Sequence, residues 1–196
     1  MSYLNIKDFK GIHKNEPVAL LCNGPTLNNY DLDTLPCAAV GMHRTWKKLI
    51  TKYHVILIHK EYFDEIACGL WKPDILFVQN FFPAYYRKAH ERTVVVDRAS
   101  NLCRDKDFSF DLTRGSALVH CGLFALEVVI WMGFNPIYLL GLDLVCGESH
   151  FAHDESIPLP CKNPISPKKV RDKQVVMWND CARQIKESKP RLTIYN

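Results

Sequence analysis

Apolar positions in this chain come in short runs, most of them closed by glycine, asparagine or aspartate. Val18 to Leu21 is the first run, and it breaks at Cys22-Asn23-Gly24-Pro25-Thr26. Ala38 to Gly41, Tyr53 to Ile58, Asp74 to Val78 and Arg92 to Val96 follow. Pro136 to Leu140, closed by Gly141-Leu142-Asp143, and Leu192 to Tyr195 complete the series. Short runs rich in β-branched residues, apolar on both alternations, predict strands buried on both faces.

Between the runs the period changes. Leu27 to Leu35, Thr45 to Lys52 and Glu61 to Gly69 predict short helices. A long apolar helix is predicted from Gly115-Ser116 to about Met132, interrupted by Glu127 and stopped by Gly133 in the C′ role. An amphipathic helix is predicted from Lys168 to Lys186, with Val175, Val176, Trp178, Ala182 and Ile185 on its apolar side. Residues 1–16 read as a polar leading arm or short helix, and Phe81 to Tyr86 as an aromatic loop and short helix. Residues 97–114 and 144–167 hold neither period and predict long loops, the second with four prolines.

This alternation predicts an α/β fold: a single Rossmann-like domain over residues 1–196, with a mostly parallel sheet and helices on both faces. In such sheets ligands sit beyond the C-terminal strand ends, where the strand order reverses.

Composition narrows the class. The chain has 196 residues, 47% hydrophobic and 23% charged, which suits one domain with a sizeable core. No apolar run approaches the ~20 residues of a membrane helix. Met1 to Asp8 lacks a basic start and an apolar centre, so a cytoplasmic protein is expected. Of eight cysteines, none in CxxC spacing, most sit in apolar surroundings and are expected to be buried free thiols in a reducing compartment, with disulfides or a metal site the lesser alternative. The net charge of +4 permits an anionic substrate or a nucleic acid without requiring either. The dense basic cluster, Lys168 to Lys173, reads as a solvated helix start.

The strand ends carry the candidate chemistry. Asn23 offers an amide, and Gly24 lets a ligand approach the backbone. His43, Arg44, His59 and Lys60 supply cations or proton carriers. The start of the long helix at Gly115-Ser116 is a second anion-friendly point, because its first N–H groups have no partner in the helix. Gly141 and Asp143 close the most apolar strand, and Asp143 reads equally as a turn cap. His150 and His153, beside Glu148, Asp154 and Glu155, are placed to supply a general base or to bind a metal. Thr26 as an N-cap and Asn23 as a loop brace are the plain alternatives. His120 and Cys121 read as core positions, and Asp31-Leu32-Asp33, in a helix rather than at a strand end, as a chance match to a metal-binding pattern.

Asn23-Gly24-Pro25-Thr26-Leu27 resembles the turn after the first strand of the family 42 sialyltransferases, and of the related DUF115 group of uncharacterised and motility-accessory proteins. Gly133 to Asp143 is similar to a second segment of the same families, and Ser149-His150-Phe151 has a counterpart there. The resemblance implies a GT-A-like sialyltransferase variant of the fold. It implies nucleotide contacts from Asn23, Gly24, Pro25, Thr26 and His43, where the family has asparagine in place of His43. Its phosphate-holding turn before the long helix falls on His120-Cys121-Gly122 by counting back from Gly133, or on Thr113 to Ser116 by chemistry. The chemistry favours Gly115 and Ser116. The general base would come from His150 or His153, and no metal or other cofactor is expected.

The expected activity is a metal-independent glycosyl transfer from a CMP- or UDP-sugar to a hydroxyl of a glycan, or of a hydroxylated base in phage DNA. Arg44 or Arg114 would stabilise the leaving phosphate. One alternative is an ATP- and Mg²⁺-dependent pterin diphosphokinase, with Asp143 and Asp154 as carboxylates. Another is a non-catalytic nucleotide-binding module, which the histidine at position 43 favours. Oligomeric state is not legible.

Overall fold

Val18–Leu21 (β1) exposes almost none of its side chains, as an interior strand of the sheet must. The structure, a computed structural model, describes residues 4–57, 60–79, 90–97, 108–114, 116, 120–144 and 167–196; for 60, 61 and 167–171 it describes the backbone alone. The other strands are Ala38–Met42 (β2), Tyr53–Ile56 (β3), Ile75–Gln79 (β4), Thr93–Val96 (β5), Ile137–Leu140 (β6) and Ile194–Tyr195 (β7). Among the described residues they form one sheet in the order β5-β4-β3-β2-β1-β6-β7. Every pairing is parallel. The chain steps outward from β1 to β5, then returns to the other side of β1 for β6 and β7. The order therefore reverses between β1 and β6, where Leu21 lies opposite Leu140.

Side-chain alternation sorts the two faces. Val18, Leu20, Val40, Val55 and Phe77 face Cys121–Trp131 (α2) and Pro167–Ser188 (α3). Ala19 and Leu21 face the opposite side under the turns of residues 25–34, while Ile56, Leu76 and Val78 pack on Lys60–Ala67 (α1) through Phe63 and Ile66. α2 is apolar all round and is buried along its length, as such a helix must be. The fold is thus the expected Rossmann-like α/β domain with both faces covered. No helix of the described residues is long and apolar enough to cross a membrane.

Several element expectations change. Leu27 to Leu35 is not a helix but two 3₁₀ turns, Pro25–Asn29 and Leu32–Thr34. Asp31 caps the second by accepting from Asp33 N at 3.3 Å, so its carboxylate has a local role. Thr45 to Lys52 is likewise reduced to a 3₁₀ turn, His43–Lys47. The leading segment forms a 3₁₀ turn at Ile6–Phe9. The long helix starts at Cys121 rather than at Gly115-Ser116, with His120 as its N-cap residue. Ser116 instead sits deep in the protein, with its hydroxyl bonded to Glu127. Gly133 ends the helix with φ +90, as expected. Cys22, Cys121 and Cys181 are buried thiols, but Cys68 is exposed because it lies past the end of α1.

Candidate functional site

The turn after β1 is built by backbone contacts to β6. Cys22 N donates to Leu140 O at 2.7 Å, and Gly24 N donates to Gly141 O at 2.8 Å. Thr26 N donates to Asp143 Oδ2 at 2.8 Å, and Thr26 Oγ1 donates to Asp143 Oδ1. Two strand ends far apart in sequence are thereby closed onto each other by one carboxylate. Gly24 has to be glycine here, since an added Cβ would collide with the Asp143 carboxylate and the Gly141 carbonyl. Gly141 has φ +75 and lies under Cys22 O, so it too is confined to glycine. Asn23 is 7% exposed, and among the described residues its Oδ1 has no hydrogen-bond partner. A buried amide oxygen without a donor is uncommon and marks a point where a ligand or water would complete the site.

The start of α2 lies over these strand ends. Cys121 Sγ is 4.0 Å from Val55 O and is close enough to Cys22 to raise its thiol pKa, although burial is the larger cause. Among the described residues no side chain caps the first N–H groups of α2. His120 packs edge-on against Trp178 of α3 at 5.9 Å, and burial pushes its imidazole down to about 4. The helix starts at His120-Cys121-Gly122, the position obtained by counting back from Gly133.

His43 follows β2 with φ +50, buried, its ring 4.8 Å from that of Tyr62. A second histidine holds it there: His54 Nε2 donates to His43 O at 2.8 Å. His54 is fully buried, and that burial pushes its pKa down to about 4 despite the carbonyl contact. Arg44 is turned toward α1. Its guanidinium meets Glu65 at 2.7 Å and 2.9 Å and lies over the Tyr62 ring at 5.2 Å. Trp46 Nε1 donates to the other Glu65 oxygen at 3.2 Å.

The structure thus brings together Asn23, Gly24, Pro25, Thr26, Gly141 and Asp143, with His43 one strand away. Ser116 is placed elsewhere, under α2. Arg114 is 88% exposed, beside Asp111 at 3.6 Å. Gly115, His59, His150 and His153 lie outside the described residues, and of Lys60 only the backbone is described. Sequence reading missed Glu65 and His54, which shape the β2 end, and Glu127, which holds Ser116. A lone acid in an otherwise apolar helix was the one visible signal for Glu127.

No protein-family model matches the sequence, and no curated protein matches it. Solved structures do match its fold. The sialyltransferase CstII from Campylobacter jejuni, in complex with the substrate analogue CMP-3FNeuAc, is 15% identical with a TM-score of 0.57, over 91% of this chain and 81% of that one. The sialyltransferase Cst-II with a trisaccharide acceptor and CMP is 17% identical with a TM-score of 0.52, over 91% and 80%. The MAf glycosyltransferase from Magnetospirillum magneticum AMB-1 is 14% identical with a TM-score of 0.52; the match covers 82% of this chain, which spans 28% of the length of that one. The chain therefore has a sialyltransferase-like α/β fold.

Proposed function

We propose that this protein is a glycosyltransferase that moves a sugar from a CMP- or UDP-linked donor to a hydroxyl acceptor. The observation that carries this reading is the crevice at the β1–β6 reversal. There Gly24 leaves no room for a side chain beside Asp143 and Gly141, and the neighbouring buried Asn23 has an amide oxygen without a partner among the described residues. Such a site would use the Asn23 amide and the α2 N-terminus toward a phosphate, with no need of a Walker lysine. The shared fold supports the same reading, since its solved examples include complexes with CMP and a CMP-sugar analogue.

In this mechanism Asn23 to Thr26 hold the nucleotide against the β1 end, and His43 forms the adjoining wall. The α2 start stabilises the charge that grows on the departing phosphate, which is the main demand of displacing a nucleotide from an anomeric carbon. Asp143 positions Thr26 and keeps the turn closed. His150 or His153 removes the acceptor proton, and the acceptor is a glycan or a hydroxylated nucleic-acid base.

Thermal unfolding with CMP, UDP, ADP and ATP, with and without Mg²⁺, tests the proposal. A nucleotide at ~100 times its dissociation constant stabilises by ~2.7 kcal/mol, a rise of roughly 5–10 °C for a chain of this size. Stabilisation by CMP or UDP without metal is the expected result. A response to ATP with Mg²⁺ alone would replace the proposal with diphosphate transfer, and no response to any nucleotide would leave a non-catalytic module.

A further inference from the structure

Glu127 lies in the middle of α2 and is completely buried. Its two oxygens are used by one neighbouring segment. Ser109 N donates to Oε1 at 2.6 Å, and Ser116 Oγ is hydrogen-bonded to Oε2. The contacts are 18 and 11 residues away in sequence, so the carboxyl group grips both ends of the 109–116 stretch. The rest of that stretch is anchored around it. Phe108 N donates to Gln184 Oε1 of α3 at 3.0 Å, Leu112 is buried, and Ser116 is fixed by Asp97 O and by Gln79 Nε2 at 2.7 Å.

Among the described residues, few groups face Glu127. From the 108–116 segment they are Ser109 and Ser116; Asp111 is occupied by Thr113 and lies beside Arg114. From α3 it meets the Cys181 thiol, whose pKa burial pushes up to about 12, with Glu127 and Asp180 as smaller contributors. No cation pairs with it among the described residues. A carboxylate buried without a counter-ion carries a large desolvation cost. A carboxylic acid avoids that cost: one oxygen accepts from Ser109 N, and the other carries a proton that the Ser116 hydroxyl can accept.

We propose that Glu127 is a positioning residue: in its protonated form it latches the 108–116 segment to α2, and loss of its proton to solvent releases that segment. The segment presents Thr113 and Arg114 at the surface, so the latch sets where these groups stand. Burial pushes the Glu127 pKa up to about 8, against the pull of its two hydrogen bonds, which puts release just above neutral pH. The inference concerns the position of this segment and holds whichever ligand the crevice takes.

Amide hydrogen exchange on the full chain tests it, using wild type, Glu127→Gln and Glu127→Ala with rates corrected for intrinsic chemistry. In wild type, exchange at 109–114 should accelerate by up to about tenfold per pH unit from the free-acid value of 4.5 up to about 8 and level off above it, and it should stay faster than at β1 and β6, whose amides open only with the whole molecule. Glu127→Gln, which keeps the shape and cannot ionise, should hold slow exchange across pH 7 to 9. Glu127→Ala should exchange fast throughout. An equal pH response in wild type and the glutamine variant, or exchange at 109–114 no faster than at β1 and β6 across the range, would overturn the proposal.

Discussion

At the scale of single residues, the site depends on contacts that leave no room for change. Gly24→Ala drives a methyl group into the Asp143 carboxylate and Gly141 O, and overpacking of this kind costs roughly 1–3 kcal/mol. Urea unfolding should show that loss, and nucleotide stabilisation should vanish with it. Asp143→Ala removes the acceptor for both Thr26 donors; hydrogen bonds to a charged group contribute about 1.5–3 kcal/mol when intact, less at a half-exposed site. Thr26→Val removes one of the two and should lose less. If Thr26→Val is as damaging as Asp143→Ala, the backbone contact of Thr26 contributes nothing. These residues were legible because a glycine turn and a strand-end aspartate are local signals. His54 was not: a histidine inside an apolar run reads as one more strand position, and its hold on His43 O depends on a neighbouring strand.

At the scale of elements, the β2 end is tied to α1 by one ion pair. Arg44 and Glu65 are 17% and 14% exposed, so little water remains to solvate either charge. Removing one partner of a buried pair costs 3–5 kcal/mol, and partial exposure lowers that to roughly 2–4 kcal/mol for Glu65→Ala. The same change also strips Trp46 Nε1 of its acceptor. Denaturant unfolding checks the loss; a change below about 0.5 kcal/mol would mean the pair behaves as a surface pair. Helix placement was legible for α1 and α3, but the buried side of α3 was only partly so: Met177, Trp178, Cys181 and Ile185 pack on the core, while Val175, Val176 and Ala182, expected on the apolar side, are exposed. Placement failed at the start of α2, because an apolar helix has no periodic edge to mark where it begins. Leu27 to Leu35 failed for another reason: Pro25, Asp31 and Pro36 supply turn chemistry that outweighs a few well-spaced leucines.

At the scale of the whole molecule, three buried groups shape stability against pH. His54 and His120 both fall to about 4 from 6.5, so the unfolded chain binds more protons than the native state between those values. Each therefore adds stability as pH rises from 4 to 6.5. Glu127 rises to about 8 from 4.5, so the native state binds the extra proton and stability falls as pH rises through that window. Two protons against one below 6.5, and one alone above it, give a maximum near pH 6.5. The slopes are up to about 1.4 kcal/mol per pH unit on either side. Unfolding free energies measured from pH 4 to 9 check this. Glu127→Gln should flatten the descent above pH 6.5 and steepen the rise below it, from a net one proton to two. A descent unchanged in that variant would assign it to other groups.

The sequence alone determined the class of the molecule. Short runs apolar on both alternations have to be central strands, and the helices between them have to return the chain to the same edge, so a parallel α/β sheet follows from burial and chain reversal. The glycine turn at Asn23-Gly24-Pro25 and the Gly141 to Asp143 strand end were marked for the same reason: both are local breaks in those runs. Tertiary structure alone decided which strands became neighbours across the order reversal, and hence that Thr26 meets Asp143 rather than capping its own turn. It also decided that Arg44 spends its charge on Glu65, that Ser116 lies under α2 and not at its start, and that a lone glutamate in an apolar helix is gripped by a distant segment. Such pairings join residues far apart in the chain, and they are settled by packing, desolvation and hydrogen-bond demand after the sheet has formed.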